Sequence, residues 1–219
     1  MRANIVVCSR TQSDIDLVIK EIKKTSTSDG NIDDRLFDDR LLGIKCDVSN
    51  SLEVDHLIRS TIDKFKSIDI LVNNAGMVFV KKLIDTSEEE WDKTLDINLK
   101  SAFLCTKVIL PFMIRNRSGV ILNVSSGAGK TGFPDISAYC ASKFGMIGLT
   151  ESLACEVGNY NIRVMAICPG EVDTKMQQNV DQDYYIRNRH NKPKTVAEKI
   201  AEMILEERRY HNGQSVEIG

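Results

Sequence analysis

Two side chains one helical turn apart, Tyr139 and Lys143, form the pattern in this sequence that is best suited to acid–base chemistry. Residues at i and i+4 share one face of a helix, so the phenol and the ammonium can point into one site. Ser126 lies thirteen residues before Tyr139, in a loop after a predicted strand, and Asn98 lies at the start of the preceding long helix. A tyrosine with a pKa near ~10 seldom loses its proton at neutral pH, but a nearby ammonium favours the phenolate. The set therefore predicts a site in which Tyr139 exchanges a proton with a substrate.

Each of these residues also has a purely structural interpretation. A tyrosine at a helix start is commonly half-buried, and Asn98 alone would be a cap or a solvated residue. Ser125, next to Ser126, is a second candidate for the functional serine. Tyr139 and Lys143, taken together with Ser126 and the Asn-Asn-Ala-Gly turn at 73–76, favour a catalytic interpretation over the structural one.

Alternating strand and helix patterns must position these residues, and such alternation is typical of a parallel sheet covered by helices. Apolar runs predict strands at 5–8, 43–46, 68–72, 119–124, 162–167 and 215–218. Helical spacing predicts helices at 14–24, 51–66, from 87 onward, 96–115, 139–157 and 193–210. We interpret the polar stretch at 25–40 as a surface excursion, so one domain is expected to span residues 1–219.

Composition excludes several classes of protein. The 219 residues carry a net charge of −2, which argues against a nucleic-acid partner. No purely apolar stretch approaches the roughly 18 residues of a membrane span, and no secretion signal is visible, so no membrane partner is expected. The six cysteines are scattered without a C-x-x-C pair, which argues against a metal site and disulfides and favours a reducing cytoplasm.

The segment "VSSGAGKT" at 124–131 nearly spells a phosphate-binding loop, and "GAGKTG" matches G-x-G-x-x-G. Both patterns need a helix to start at the turn, because the helix N-terminus holds the phosphate. Gly132 and Pro134 are instead typical of a loop. The sequence therefore predicts that this turn does not bind a nucleoside triphosphate.

Four motifs together resemble the short-chain dehydrogenase/reductase family: "NNAG" at 73–76, "NVSSGAG" at 123–129, "YCASK" at 139–143 and "PGEVDT" at 169–174. The resemblance covers nearly the whole chain and is closest to 3-oxoacyl-carrier-protein reductases. It implies an α/β fold with a Rossmann-type doubly wound parallel sheet. It also implies an NAD(P)-dependent oxidoreductase that reduces a carbonyl or oxidises a secondary alcohol, with a 3-oxoacyl thioester as a candidate substrate.

The resemblance assigns a role to each candidate. Tyr139 is the general acid/base, and Ser126 hydrogen-bonds the substrate oxygen and stabilises its developing charge. Lys143 holds the ribose hydroxyls of the cofactor, and Asn98 anchors a water that relays protons from Lys143. The expected cofactor-binding residues are Ser9, Arg10, Asp47, Val48, Asn74, Ala75, Gly76, Tyr139, Lys143, Pro169, Gly170, Val172 and Thr174.

Arg10 indicates which cofactor binds. An acidic residue at the end of the first strand would bind the adenosine ribose of NAD, whereas a guanidinium suits a 2′-phosphate. Ser9 and Arg10 occupy this point. The sequence therefore favours NADP(H), with NAD(H) as the alternative.

The opening segment departs from the family pattern. In the family a first strand and a T-G-x-x-x-G-x-G turn precede the strand found here at residue 5, and no residues match them. One hypothesis is an active enzyme whose start lies upstream of Met1; the other is a truncated, inactive remnant that acts only in binding or oligomerisation. The family also implies a homodimer or homotetramer, joined through the helices at 96–115 and 139–157, and a loop over the substrate at 175–192.

Overall fold

The structure is a computed structural model that describes residues 3–27, 39–174, 176 and 191–219. The chain divides into two compact units, residues 1–68 and 69–219, and each is described by itself. Most of the polar stretch at 25–40 and of the loop expected at 175–192 lies outside the described residues. The expectation of one domain over the whole chain stays a prediction.

The described part of the first unit contains a parallel pair of strands and two helices. Strand β1 (Ile5–Ser9) pairs with β2 (Leu41–Lys45), and helix α1 (Gln12–Thr27) follows β1. Helix α2 (Ser51–Phe65) starts after Asn50, whose side chain accepts hydrogen bonds from the backbone N–H groups of residues 52 and 53. Such an N-cap satisfies donors that the first helical turn leaves without partners.

The second unit contains a parallel four-stranded sheet in the order β3–β4–β5–β6. The strands are β3 (Ile70–Asn73), β4 (Gly119–Val124), β5 (Ile162–Pro169) and β6 (Ser215–Ile218). Almost all of β5 is buried, as expected for a strand covered on both faces. The prediction of an α/β fold with parallel sheets is confirmed.

Helices of the second unit pack on this sheet. Helix α6 (Pro193–Leu205) places Met203 in a buried cluster with Leu122 and Met165, while helix α5 (Ser137–Val157) packs against β5. Because successive side chains of a strand point to opposite faces of the sheet, one strand can contact helices on both faces. Helix α6 ends five residues before the predicted boundary of 210.

A continuous helical segment connects β3 to β4. It consists of α3 (Glu88–Leu95), a π-helical turn (Asp96–Lys100) and α4 (Ser101–Asn116). Helix α3 begins with a capping box formed by Ser87 and Glu90. The sequence predicted two helices here, and the π-helical turn joins them into one.

The segment Glu88–Asn116 also corrects an expectation about hydropathy. It contains an 18-residue window with a mean hydropathy of 1.5, of which 39% is buried, so by length and composition it could cross a membrane. The sequence-based expectation counted uninterrupted apolar runs, whereas such a window tolerates two charged residues. A core helix of a soluble protein passes the same test.

Candidate active site

The four candidate residues come from three elements of the second unit. Ser126 precedes a short 3₁₀ turn (Gly127–Gly129) after β4, and no α-helix starts at this turn. Tyr139 and Lys143 lie in the first two turns of α5, which begins at Ser137. Asn98 occupies the middle of the π-helical turn. π-Helical turns occur frequently at functional sites.

The Tyr139 phenol and the Ser126 hydroxyl are brought together by the end of β4 and the start of α5. Burial raises the pKa of Tyr139, and a hydrogen bond with Ser126 partly offsets this rise. The sequence led us to expect a pKa lowered by the Lys143 ammonium. The structure differs because removal of the phenol from water disfavours the phenolate more than its neighbours favour it.

Lys143 is buried behind Tyr139, with only 3% of its surface exposed. Its Nζ donates a hydrogen bond to the carbonyl oxygen of Val124 at 2.8 Å and lies 5.5 Å from the centroid of the Tyr139 ring. Burial lowers the pKa of Lys143 to about 8, and interaction with Cys168 acts in the opposite direction. At pH 7 this side chain is therefore protonated in about nine-tenths of the molecules.

Both polar atoms of the buried Asn98 side chain form hydrogen bonds with other protein groups. Its Nδ2 donates to the carbonyl oxygen of Met77 and to Oγ of Ser142, both at 2.9 Å. Its Oδ1 accepts from the backbone N–H of Met77 at 2.7 Å. These contacts give the side chain a structural task, and the expected water-anchoring role of Asn98 stays a prediction.

The two neighbouring serines of the loop after β4 differ in their contacts. Ser125 is 3% exposed, and its Oγ donates to the carbonyl oxygen of Lys143 at 2.9 Å. Ser126 is half-buried, and its Oγ lies near Tyr139 and accepts from the backbone N–H of Ala128 at 3.2 Å. The geometry therefore supports Ser126 over Ser125 as the serine that faces a substrate.

The "NNAG" turn after β3 lies beside this group of side chains. Asn74 and Ala75 are exposed, whereas Gly76 is half-buried. A Cβ placed on Gly76 would lie 3.5 Å from Oδ1 of Asn98 and 3.6 Å from Nζ of Lys143. The glycine thus leaves its backbone face open next to the ammonium, as close approach of a ligand requires.

The turn after β5 contains the remaining expected cofactor residues of this unit. Pro169 ends β5, and the N–H of Gly170 donates to the carbonyl oxygen of Ile218 at 2.8 Å. Val172 forms a parallel bridge with residue 191, and Oγ1 of Thr174 donates to the carbonyl oxygen of Val172 at 3.3 Å. A Cβ on Gly127 would lie 3.8 Å from the Pro169 oxygen, so this turn is adjacent to the Ser126 loop.

Four expected cofactor residues lie in the first unit, at the carboxyl ends of β1 and β2. The carbonyl oxygen of Ser9 accepts from the N–H of the residue before Asp47 at 2.9 Å. The Asp47 carboxylate accepts hydrogen bonds from Ser49, which lower the pKa of Asp47, and the Arg10 guanidinium adds to the effect. Val48 follows directly. The sheet thus brings the two predicted pairs to one edge.

A buried chain of polar side chains escaped the sequence analysis. Nδ2 of Asn73 donates to Oδ1 of Asn123 at 2.8 Å and to Oγ1 of Thr106 at 3.4 Å, and Nδ2 of Asn123 donates to Oγ1 of Thr150 at 2.9 Å. Ser142, which contacts Asn98, was also missed. The available signal was the asparagine at the end of each of two apolar strands, where a buried amide needs partners.

A metal centre finds no support in this geometry. Within residues 3–27, 39–174, 176 and 191–219, no three His, Cys, Asp or Glu side chains form a group that could hold a metal ion.

Comparisons with known proteins agree with this arrangement. A family model described as short chain dehydrogenase matches residues 1–185. The 3-oxoacyl-[acyl-carrier-protein] reductase of Synechocystis is 38% identical over 160 residues, which cover 71% of this chain and 65% of that protein. The corresponding reductase of Thermotoga maritima is 35% identical over 178 residues, covering 78% of this chain and 72% of that protein.

A solved structure of levodione reductase superposes with a TM-score of 0.87 at 26% sequence identity, covering 99% of this chain and 86% of that chain. The matched regions span from just under two thirds to almost three quarters of the two reductases' lengths. The fold, the four motifs and the family match lead to one assignment. This chain belongs to the short-chain dehydrogenase family, whose members are NAD(P)-dependent oxidoreductases acting on CH–OH groups.

Proposed function

We propose that the protein is an NADP(H)-dependent oxidoreductase that reduces a carbonyl, or oxidises a secondary alcohol, with Tyr139 as the general acid/base. The observation that carries this proposal is that the buried Lys143 ammonium lies 5.5 Å from the centroid of the Tyr139 ring, with Ser126 near the Tyr139 phenol. A proton donor, an oxygen-binding hydroxyl and a cation are the groups that carbonyl reduction requires.

The raised pKa of Tyr139 keeps the phenol protonated at neutral pH, so it can donate its proton to a carbonyl oxygen that gains negative charge. Ser126 donates a hydrogen bond to the same oxygen and stabilises the developing charge. The phenolate left on Tyr139 is then stabilised by the ammonium of Lys143. When bound, the nicotinamide supplies the hydride. Proton transfer of this kind contributes roughly 10²–10⁴-fold to a rate.

Each unit, taken by itself, contains residues with the chemistry that a dinucleotide requires. Gly76 leaves space beside the Lys143 ammonium, where this lysine would hold ribose hydroxyls. Arg10 at the end of β1 supplies the charge that a 2′-phosphate requires, which supports NADP(H) over NAD(H). Asp47 and Val48 in the first unit, and the Pro169–Gly170 turn in the second, are further residues that we propose to contact the cofactor.

The substrate we propose is a small-molecule carbonyl compound, with a 3-oxoacyl thioester as the first to test. The names of the Synechocystis and Thermotoga relatives support this choice. All six cysteines are free thiols, which supports a cytoplasmic location.

We also propose a homodimer or homotetramer joined through α4 and α5. Phe103 on α4 and Phe144 on α5 are 45% and 46% exposed, although both rings are apolar. Exposed apolar side chains on neighbouring helices are typical of an interface. The Phe144→Asp variant is expected to sediment as a smaller species than the wild type; an unchanged sedimentation coefficient would contradict this interface.

The test of the function is cofactor oxidation with an acetoacetyl thioester, followed at 340 nm with NADPH and with NADH. We expect turnover with NADPH to exceed turnover with NADH at least tenfold, and Arg10→Ala to reduce that ratio. A clear preference for NADH would overturn the cofactor assignment. If the protein neither binds NADPH or NADH nor turns over substrate, the alternative is favoured: an inactive subunit that only binds a partner or forms oligomers.

A further inference from the structure

Ser142 lies between the two candidate catalytic residues of α5, and its side chain is 0% exposed. Its Oγ donates to the carbonyl oxygen of Tyr139 at 2.7 Å and accepts a hydrogen bond from Nδ2 of Asn98 at 2.9 Å. Serine in a helix interior that only bonds its own helix is neutral or slightly destabilising. The second bond, from another element, gives this serine a task beyond helix geometry.

The contact continues through Asn98 to the turn after β3. Asn98 holds the N–H and the carbonyl oxygen of Met77 at 2.7 and 2.9 Å. Met77 directly follows Gly76, whose missing Cβ would lie 3.6 Å from Nζ of Lys143. Ser142 therefore provides a hydrogen-bonded connection between α5 and the backbone that lies beside the ammonium.

We propose that Ser142 is a positioning residue, which acts through Asn98 and Met77 to set the distance between the Gly76 backbone and the Lys143 ammonium. Loss of its hydroxyl leaves the buried amide of Asn98 with a donor that has no acceptor, so the π-helical turn must shift or admit water. A shift of about 1 Å in a catalytic arrangement can reduce a rate by up to ~10²-fold.

Thr150 provides a matched comparison on the same helix. It is also 0% exposed, its Oγ1 donates to the carbonyl oxygen of Met146 at 2.8 Å, and it accepts from Nδ2 of Asn123 at 2.9 Å. Like Ser142, it donates to a carbonyl oxygen of its own helix and accepts from an asparagine amide. That asparagine bonds Asn73, however, and Asn98 is not part of this set of hydrogen bonds. A purely structural role would make the two hydroxyls equivalent.

The test compares Ser142→Ala with Thr150→Val. Both variants are expected to lower the melting temperature by a similar amount. Only Ser142→Ala is expected to reduce kcat, by about tenfold with KM changed less than about twofold, because the change affects positioning more than substrate binding. The kinetic arm rests on the proposed function.

A second readout does not require activity. The pKa of Lys143 is measured from its Cε chemical shift in ¹³C-lysine-labelled protein, with Lys143→Met used for assignment. The Lys143 ammonium donates a hydrogen bond to the carbonyl oxygen of Val124 and lies near the Tyr139 ring and the Cys168 thiol, and the pKa of Lys143 is expected at about 8 in the wild type. Ser142→Ala should raise it by admitting water, whereas Thr150→Val should not.

An unchanged pKa of Lys143 in Ser142→Ala would overturn the proposal, and so would equal shifts in both variants. If the wild type shows no NADPH-dependent turnover, the proposed function fails while the pKa comparison still decides the role of Ser142. Ser142→Cys retains a weak donor and acceptor. It replaces Ser142→Ala in the same comparison if the alanine variant does not fold, with a smaller rise expected.

Discussion

Two parts of the candidate site contrast in how their hydroxyl and amide groups are used. The reactive pair, Ser126 and Tyr139, is half-buried at the junction of β4 and α5. The buried brace, which we define as Asn98, Ser125 and Ser142, has its side chains bonded to backbone or to each other. One short motif can therefore contain both a reactive residue and a residue of the brace. In "YCASK" the tyrosine belongs to the reactive pair and the serine to the brace.

The largest expected effect comes from the reactive pair. Tyr139→Phe removes the proton donor, and we expect kcat to fall by about 10³-fold, within the range for general acid catalysis. Because the phenylalanine ring keeps the packing, the melting temperature should stay within a few degrees of the wild type. Steady-state kinetics and circular dichroism measure the two quantities.

Tyr210→Phe is the control for this variant. Tyr210 is also buried, and Nζ of Lys199 lies 5.4 Å from its ring centroid, close to the 5.5 Å between Lys143 and Tyr139. Its hydroxyl bonds Lys199 and Glu202 outside the candidate site, so its loss should reduce stability without reducing kcat. Equal losses of kcat in the two variants would remove the distinction between Tyr139 and an ordinary buried tyrosine.

A smaller difference is expected between the adjacent serines. Ser126→Ala should lower kcat by about 10²-fold with little change in stability, since it removes one hydrogen bond to the developing oxyanion. Ser125→Ala should instead lower the free energy of unfolding by roughly 1 kcal/mol, because it removes a buried bond to the Lys143 carbonyl. The reverse pattern, measured by kinetics and urea unfolding, would exchange the roles of the two serines.

Lys143, which lies between the brace and the reactive pair, should make the stability of the protein depend on pH. Its pKa in the folded state is about 8, below the ordinary value of 10.5. Between these values the unfolded chain binds more protons than the folded chain, so this group makes stability rise with pH. Below pH 8 both states are protonated and the cost of the buried charge is fully present.

Lys143→Met removes this dependence. The stability of the variant relative to the wild type should therefore be highest below pH 8 and should fall by about 2–3 kcal/mol by pH 10. Urea unfolding at five pH values across this window measures the difference. A stability difference that does not vary with pH would mean that Lys143 is not desolvated as the structure describes.

The smallest effect tests how tightly the brace is packed. A Cβ on Gly129 would lie 2.5 Å from Oγ of Ser125 and 2.7 Å from the carbonyl oxygen of Lys143, whereas one on Gly132 would meet nothing within 4 Å. Gly129→Ala should therefore destabilise the protein by about 1–3 kcal/mol, and Gly132→Ala should be nearly neutral. Melting curves of the two variants measured in parallel decide the point; equal stabilities would indicate that the brace adapts.

The reactive pair was predictable from the sequence because its chemistry depends on residue type and spacing. Tyr139, Lys143 and Ser126 stand at intervals that a strand, a loop and a helix convert into proximity. The boundaries of β4 and the start of α5 were predicted to within two residues, since apolar runs and helical spacing are local signals.

The brace could not be predicted in the same way. The role of Ser142 could not be predicted, because nothing in the residues next to it indicates that Asn98, 44 residues away in the sequence, bonds its side chain. The direction of the Tyr139 pKa shift was also missed, since burial is a property of the folded chain. Contacts between elements distant in sequence depend on packing, which local patterns do not encode.

The π-helical turn Asp96–Lys100 makes the candidate site depend on the number of residues in the helical segment Glu88–Asn116. The N–H of Ser101 bonds the carbonyl oxygen of Asp96, five residues earlier, so the turn accommodates one residue more than an α-helix would. Deletion of one residue here would replace the wide turn with a regular α-helical turn and so change the direction of the side chains within it, while α3 and α4 keep nearly the same register. Substitutions along the segment can be accepted one at a time, whereas a change of length would turn Asn98 away from Ser142.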